Sequence, residues 1–156
     1  MKIETGSKAP EFTLYDSEKN KISLTDYRGK NVLLLFFPLA FTSTCTKELC
    51  GVRDNIGQYN NSNARVFGIS VDSLYTLAKY REEQHLNFPL LSDFNKEVSA
   101  AYGSLYPTFG YNMRGVSKRS AFVIDKVGVV RYAEVVENAS EIPDFTAIQK
   151  TLSEYN

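Results

Sequence analysis

Two residues in this chain stand out as able to do chemistry by type and spacing, Cys45 and Cys50. They are its only thiols and lie five positions apart. A disulfide between them would close a very short loop and would staple little. A metal site needs about four ligands, and two cysteines with the lone His85 are too few. No cofactor-binding motif is present either. Redox or nucleophilic sulfur chemistry remains, with two inert buried thiols as the plain alternative.

The surroundings of Cys45 bear on that choice. Val32-Leu33-Leu34-Leu35-Phe36-Phe37 is an unbroken apolar run, the pattern of a strand buried on both faces, and Pro38 stops it. From about Thr44 to Tyr59, apolar residues recur at Cys45, Leu49, Val52 and Ile56, which predicts a helix. Cys45 then lies in the first turn, with Thr44 or Ser43 near the N-cap. Unpaired backbone N–H groups and the positive end of the helix dipole gather there. Both favour thiolate over thiol, and the thiolate is the nucleophile. A cysteine packed there as a small hydrophobe is the competing reading.

The remaining elements must hold that junction. Residues 9–15 and 21–24 alternate apolar and polar around a turn and read as an N-terminal hairpin. Residues 65–71 form a second buried strand, and Asp72 or Ser73 caps a helix through Leu74, Leu77 and Tyr80. A short extended piece at 88–91, a short helix at 95–102, a loop at 105–117, a second hairpin around Lys126 and a closing helix at 143–155 complete the chain. The expected fold is α/β: a mixed central sheet flanked by helices, in the order of a thioredoxin-like fold with an N-terminal β-hairpin extension, as one domain over residues 1–156. Lys+Arg and Asp+Glu are both 18, so bulk charge points to no nucleic-acid partner. The longest apolar run, Val32–Phe41, is too short for a bilayer, which needs about 20 residues. The expectation is a chain that does not enter membranes and is cytoplasmic.

The stretch Pro38-x-x-x-Thr42-x-x-Cys45 resembles the signature P-x-x-x-T/S-x-x-C of the peroxiredoxins. Gly6-Ser7-Lys8-Ala9-Pro10-Glu11-Phe12, Phe88-Pro89-Leu90-Leu91-Ser92-Asp93 and Arg119-Ser120-Ala121-Phe122-Val123-Ile124-Asp125 are similar too. The likeness covers nearly the whole chain. It is nearest to the bacterioferritin-comigratory-protein branch and its one-cysteine relatives of the alkyl hydroperoxide reductase E type.

The resemblance implies a thiol-dependent peroxidase acting on small peroxides. Cys45 is then the peroxidatic cysteine, which becomes a sulfenic acid. Thr42 orients or donates to the peroxide, and Pro38 shields the sulfur. Arg119, one of seven arginines, holds the thiolate and the peroxide; composition and spacing alone do not single it out. Glu48 is a weaker candidate for steadying that arginine, with a helix-surface carboxylate as the alternative. His85 reads as a solvated or capping residue. Cys50 takes the place of the branch's resolving cysteine, which implies an intramolecular disulfide reduced by a thioredoxin or glutaredoxin-like partner. Five helical residues separate the two Cα atoms by roughly 8–9 Å, beyond bridging range, so the first turns must unwind. Resolution by an external thiol, a non-enzymatic peroxide sensor and a structural domain with idle thiols stay open. So does the choice between monomer and homodimer. A dithiol reductase does not fit, because Thr42 stands where Cys-x-x-Cys needs its first cysteine.

Overall fold

The structure, a computed structural model, describes residues 2–156. Its strands are β1 (Thr13–Asp16), β2 (Lys21–Ser23), β3 (Asn31–Phe36), β4 (Ala64–Ser70), β5 (Leu90–Ser92), β6 (Ser120–Ile124) and β7 (Val130–Val135). Its helices are α1 (Ser43–Asp54), α2 (Ile56–Asn61), α3 (Leu74–Glu83), α4 (Glu97–Ala101) and α5 (Phe145–Glu154).

The strands form one sheet in the order β2-β1-β5-β4-β3-β6-β7. β3, β4 and β5 are mutually parallel. The pairs β3–β6, β6–β7, β1–β2 and β1–β5 are antiparallel. The N-terminal hairpin thus docks through β1 onto β5 and lengthens the main sheet.

The apolar run in β3 works as expected for a strand covered on both faces. Successive side chains point to opposite sides, so Leu33 and Leu35 enter one core while Val32, Leu34 and Phe36 enter the other. The first core collects Cys45, Leu49 and Val52 of α1, Tyr59 of α2, Leu77 and Tyr80 of α3, and Ile148 and Leu152 of α5. The second is closed by Val98 of α4, Tyr102 and the N-terminal residues Ala9, Phe12 and Leu24.

One helix departs from its expected span. The pattern over Thr44–Tyr59 is split at Asn55, whose backbone leaves the helical region at φ −117° and ψ 19°. Its side chain donates Nδ2–H to the Gly51 carbonyl at 2.8 Å, a local bond that competes with the helix ladder. The break lies past Cys50, so both cysteines sit on the unbroken first segment.

Candidate active site

The site forms where β3 gives way to α1. Pro38 follows the strand and is buried, as the end of the apolar run requires. The chain then turns through Phe41, which adopts a left-handed φ of 67°, a conformation uncommon for an aromatic residue and a sign of a tightly held turn. Two contacts hold it. The Ala40 N–H donates to Asp72 Oδ2 at 2.8 Å, and the Phe41 ring packs on Tyr80 with centroids 5.0 Å apart.

The N-cap is Thr42 rather than Ser43 or Thr44. Its side chain does not cap the helix; the hydroxyl donates back to the Leu39 carbonyl at 2.8 Å. That fixes its proton and leaves its lone pairs free to accept from an O–H. The first helical N–H to find a carbonyl in α1 is that of Thr46, which donates to Thr42 at 3.0 Å. Cys45, one residue earlier, is therefore among the helix's orphan donors.

Cys45 is fully buried, and Arg119 reaches it from the residue just before β6. The guanidinium is only 2% exposed. Nη2–H donates to Cys45 Sγ at 3.2 Å and to the Ala139 carbonyl at 3.0 Å. Nη1–H donates to Glu48 Oε1 at 2.8 Å, and Nε–H to Ala139 at 3.2 Å. The backbone is pinned as well, since the Arg119 carbonyl accepts from Val136 N–H at 2.8 Å. Burial opposes the Arg119 charge, but the sulfur and Glu48 more than offset it and raise its pKa. A hydrogen bond from a charged donor to the sulfur is of the stronger, charge-assisted kind.

Glu48 is buried, not a helix-surface carboxylate. Burial pushes its pKa up from 4.5 to about 7, against the pull of Arg119. Its Oε1 faces the guanidinium, while Oε2 has no hydrogen-bond partner among the described residues. A cavity of about 600 Å³ between α1, α2 and α5 has Glu48 in its wall, with Val52, Tyr59, Phe145 and Gln149.

Cys50 lies elsewhere. It is half-buried against α3, and its S–H donates to Gln84 Oε1 at 3.6 Å. Both cysteines are free. His85 is exposed, just past the end of α3.

The structure therefore gathers Cys45, Arg119 and Glu48, sets Thr42 and Pro38 in the same turn, and directs Cys50 away. Three supports have little local signal in the sequence. Asp72 does not cap α3, which Ser73 does by accepting from Thr76 N–H at 3.1 Å; it instead takes the Ala40 N–H and the Ser70 hydroxyl. The hydroxyl of Thr46 donates to Thr42 at 2.8 Å, so Tyr80 must be the donor in the 2.9 Å bond between Tyr80 and Thr46. Burial pushes the Tyr80 phenol up to about 12, with Thr46 opposing, so it keeps that proton at neutral pH. The third support is the Ala139 carbonyl. Among the described residues no cluster of side chains is suited to a metal ion, and no helix is long and apolar enough to cross a membrane.

The AhpC/TSA family matches residues 5–133. A Mycobacterium tuberculosis chain described as a peroxiredoxin is 43% identical over 135 residues, 85% of this chain and 85% of its own length. Alkyl hydroperoxide reductase E of Mycobacterium bovis is 40% identical over 136 residues, 85% of this chain and 86% of its own length. Among solved structures, peroxidoxin BcpB from Mycobacterium tuberculosis superposes with a TM-score of 0.85 at 30% identity, covering 99% of both chains. The chain belongs to the AhpC/TSA family. It is a peroxiredoxin, with the thiol-dependent peroxidase activity and thioredoxin-like fold of that class.

Proposed function

We propose that Cys45 is the sulfur that attacks the peroxide. Its thiolate displaces one oxygen of the O–O bond, giving Cys45 sulfenic acid and an alkoxide or hydroxide, which takes up a proton to leave as alcohol or water. The observation that carries this reading is the 3.2 Å bond from Arg119 to the sulfur, which supports both the thiolate and the charge growing on the departing oxygen. Thr42, with its own proton committed to Leu39, is suited to accept the peroxide O–H and fix its orientation. Pro38 keeps water from the sulfur. Cys45 has no exposed surface, while the turn at Phe41–Ser43 that leads to it is exposed, so the peroxide approaches from that side. Hydrogen peroxide and small organic hydroperoxides fit such a route. One relative is named an alkyl hydroperoxide reductase.

Cys50 is the proposed resolving thiol, which converts the sulfenic acid to a Cys45–Cys50 disulfide with loss of water. In α1 the two residues share one continuous helix, so the disulfide requires the first turns to unwind. A thioredoxin or glutaredoxin-like dithiol then restores both thiols by exchange. A cycle that regenerates free thiols suits a reducing, cytoplasmic compartment. A second reading is favoured by the Cys50–Gln84 bond, which turns this sulfur toward α3: an external thiol attacks the sulfenic acid directly. Mass spectrometry after one equivalent of peroxide separates the two. A Cys45–Cys50 crosslink is expected, and a lasting sulfenic acid with Cys50 free would replace it by the second reading. Oxidation confined to residues other than Cys45 would remove the proposal altogether.

A further inference from the structure

Between the two acids of this site there is one cation. Arg119 donates to Cys45 Sγ through Nη2 and to Glu48 Oε1 through Nη1. Both side chains of the Arg119–Glu48 pair are shut off from solvent, at 2% and 0% exposure. A buried guanidinium can offset one anion; a second buried negative charge carries a large desolvation penalty. Among the described residues, Glu48 Oε2 has no hydrogen-bond partner. An ionised carboxylate would leave that oxygen charged and unsatisfied, whereas a protonated one leaves only a neutral group without a partner, the smaller cost.

We propose that Glu48 is the proton-holding partner of the sulfur, neutral while Cys45 is a thiolate and ionised once Cys45 is oxidised. The inference rests on the reading of Cys45 as the attacking sulfur. Oxidation removes the negative charge from the sulfur and frees Arg119 to balance Glu48 instead. The net charge of the buried triad is zero before and after. In balanced form, the Cys45 thiolate, the hydroperoxide and the Glu48 carboxylic acid give the Cys45 sulfenic acid, the alcohol and the Glu48 carboxylate. The S–O bond forms, the O–O bond breaks, sulfur is oxidised and peroxide oxygen is reduced. The proton count that the leaving alkoxide needs is met by Glu48 rather than by bulk solvent. Condensation with Cys50 releases water and exchanges no further proton, so the balance is the same with or without the disulfide.

The other groups facing Glu48 fit this assignment. From β7, Glu134 adds negative charge and favours the neutral carboxyl. From α2 and α3, Tyr59 and Tyr80 are phenols raised by burial, and both stay neutral. The α5 residues at the shared cavity, Phe145, Thr146 and Gln149, carry no charge, and Lys47 lies beside Glu48 on α1. Among the described residues, the only cation bonded to Glu48 is Arg119. The raised pKa of Glu48, about 7, agrees with the geometry.

The test is the proton stoichiometry of one oxidation. Reduced full-length protein in weak buffer near pH 6 receives one equivalent of hydrogen peroxide, and an indicator dye reports proton uptake. Wild type is expected to take up close to none per peroxide consumed, and Glu48→Gln about one. Equal counts in the two proteins, whether none or one, would overturn the inference. Infrared difference spectra of wild type, oxidised minus reduced, give a readout that needs no variant. A carboxylic-acid C=O band should disappear on oxidation and a carboxylate band appear; no change in that region would contradict the assignment. If peroxide leaves Cys45 unoxidised, the failure lies with the reading of Cys45, and mass spectrometry of the same sample distinguishes that outcome.

Discussion

Cys45 and Cys50 occupy the same helix and end in opposite chemical situations. The sulfur of Cys45 accepts a hydrogen bond from a buried guanidinium, while that of Cys50 donates one to a side-chain amide. The first is in contact with a cation inside the core, and the second is half-exposed beside α3. An acceptor role suits a thiolate and a donor role requires a thiol. Residue type and helix are shared, so the difference comes from what other elements bring to each sulfur. Arg119, just before β6, meets Cys45; Gln84, just after α3, meets Cys50.

Removing the two sulfurs one at a time should have the largest and most different effects. Cys45→Ser should lower peroxide consumption to the rate of free thiols in solution, measured by peroxide loss with excess reductant. Cys50→Ser should leave one peroxide consumed per chain but end turnover driven by thioredoxin, measured by coupled NADPH oxidation. Next comes the cation. Arg119→Met should slow the first oxidation by roughly 10²–10³-fold, the usual effect of deleting a donor that meets developing charge. Arg119→Lys should fall between, because an ammonium keeps the charge but cannot fork to Cys45, Glu48 and Ala139 together.

Smaller effects sharpen the account of the turn. Asp72→Ala leaves the Ala40 N–H without its partner and should cost about 1–3 kcal/mol in chemical denaturation. Tyr80→Phe removes one hydroxyl bond to Thr46 and should cost about 1 kcal/mol. The pH dependence is also directional. The folded-state pKa of Glu48 is raised from 4.5 to about 7, so the folded state binds the extra proton between those values. Its contribution is therefore fully present below about pH 4.5 and is lost as pH rises through about 7. Relative to Glu48→Gln, reduced wild type should lose stability over that window in urea titrations; a gain there would reverse the sign of the Glu48 shift.

The framework of this site was readable from the sequence because its signals are local. The run Val32–Phe37, the stop at Pro38 and the helical spacing after it place Cys45 at a strand-to-helix junction, where the structure has it. The partners were not readable in the same way. Arg119 bonds a residue 74 positions earlier, and no periodicity marks a contact of that range; only the resemblance singled it out. Glu48 looks like any helix glutamate until Arg119, just before β6, sets its guanidinium against it. Asp72 carries the signature of a helix cap, yet Ser73 takes that role, and the carboxylate accepts from Ala40 in the turn before α1, 32 positions away. Asn55 breaks the expected helix through a side-chain bond that apolar spacing does not register.

The most direct test of the central claim is stopped-flow oxidation of wild type, Cys50→Ser and Cys45→Ser by a stoichiometric amount of hydrogen peroxide, with the products identified by mass spectrometry. A rapid burst of one equivalent is expected in the first two proteins, with oxygen or the disulfide at Cys45, and no burst in the third. A burst of equal size in Cys45→Ser would show that the sulfur beside Arg119 is not the one that meets the peroxide.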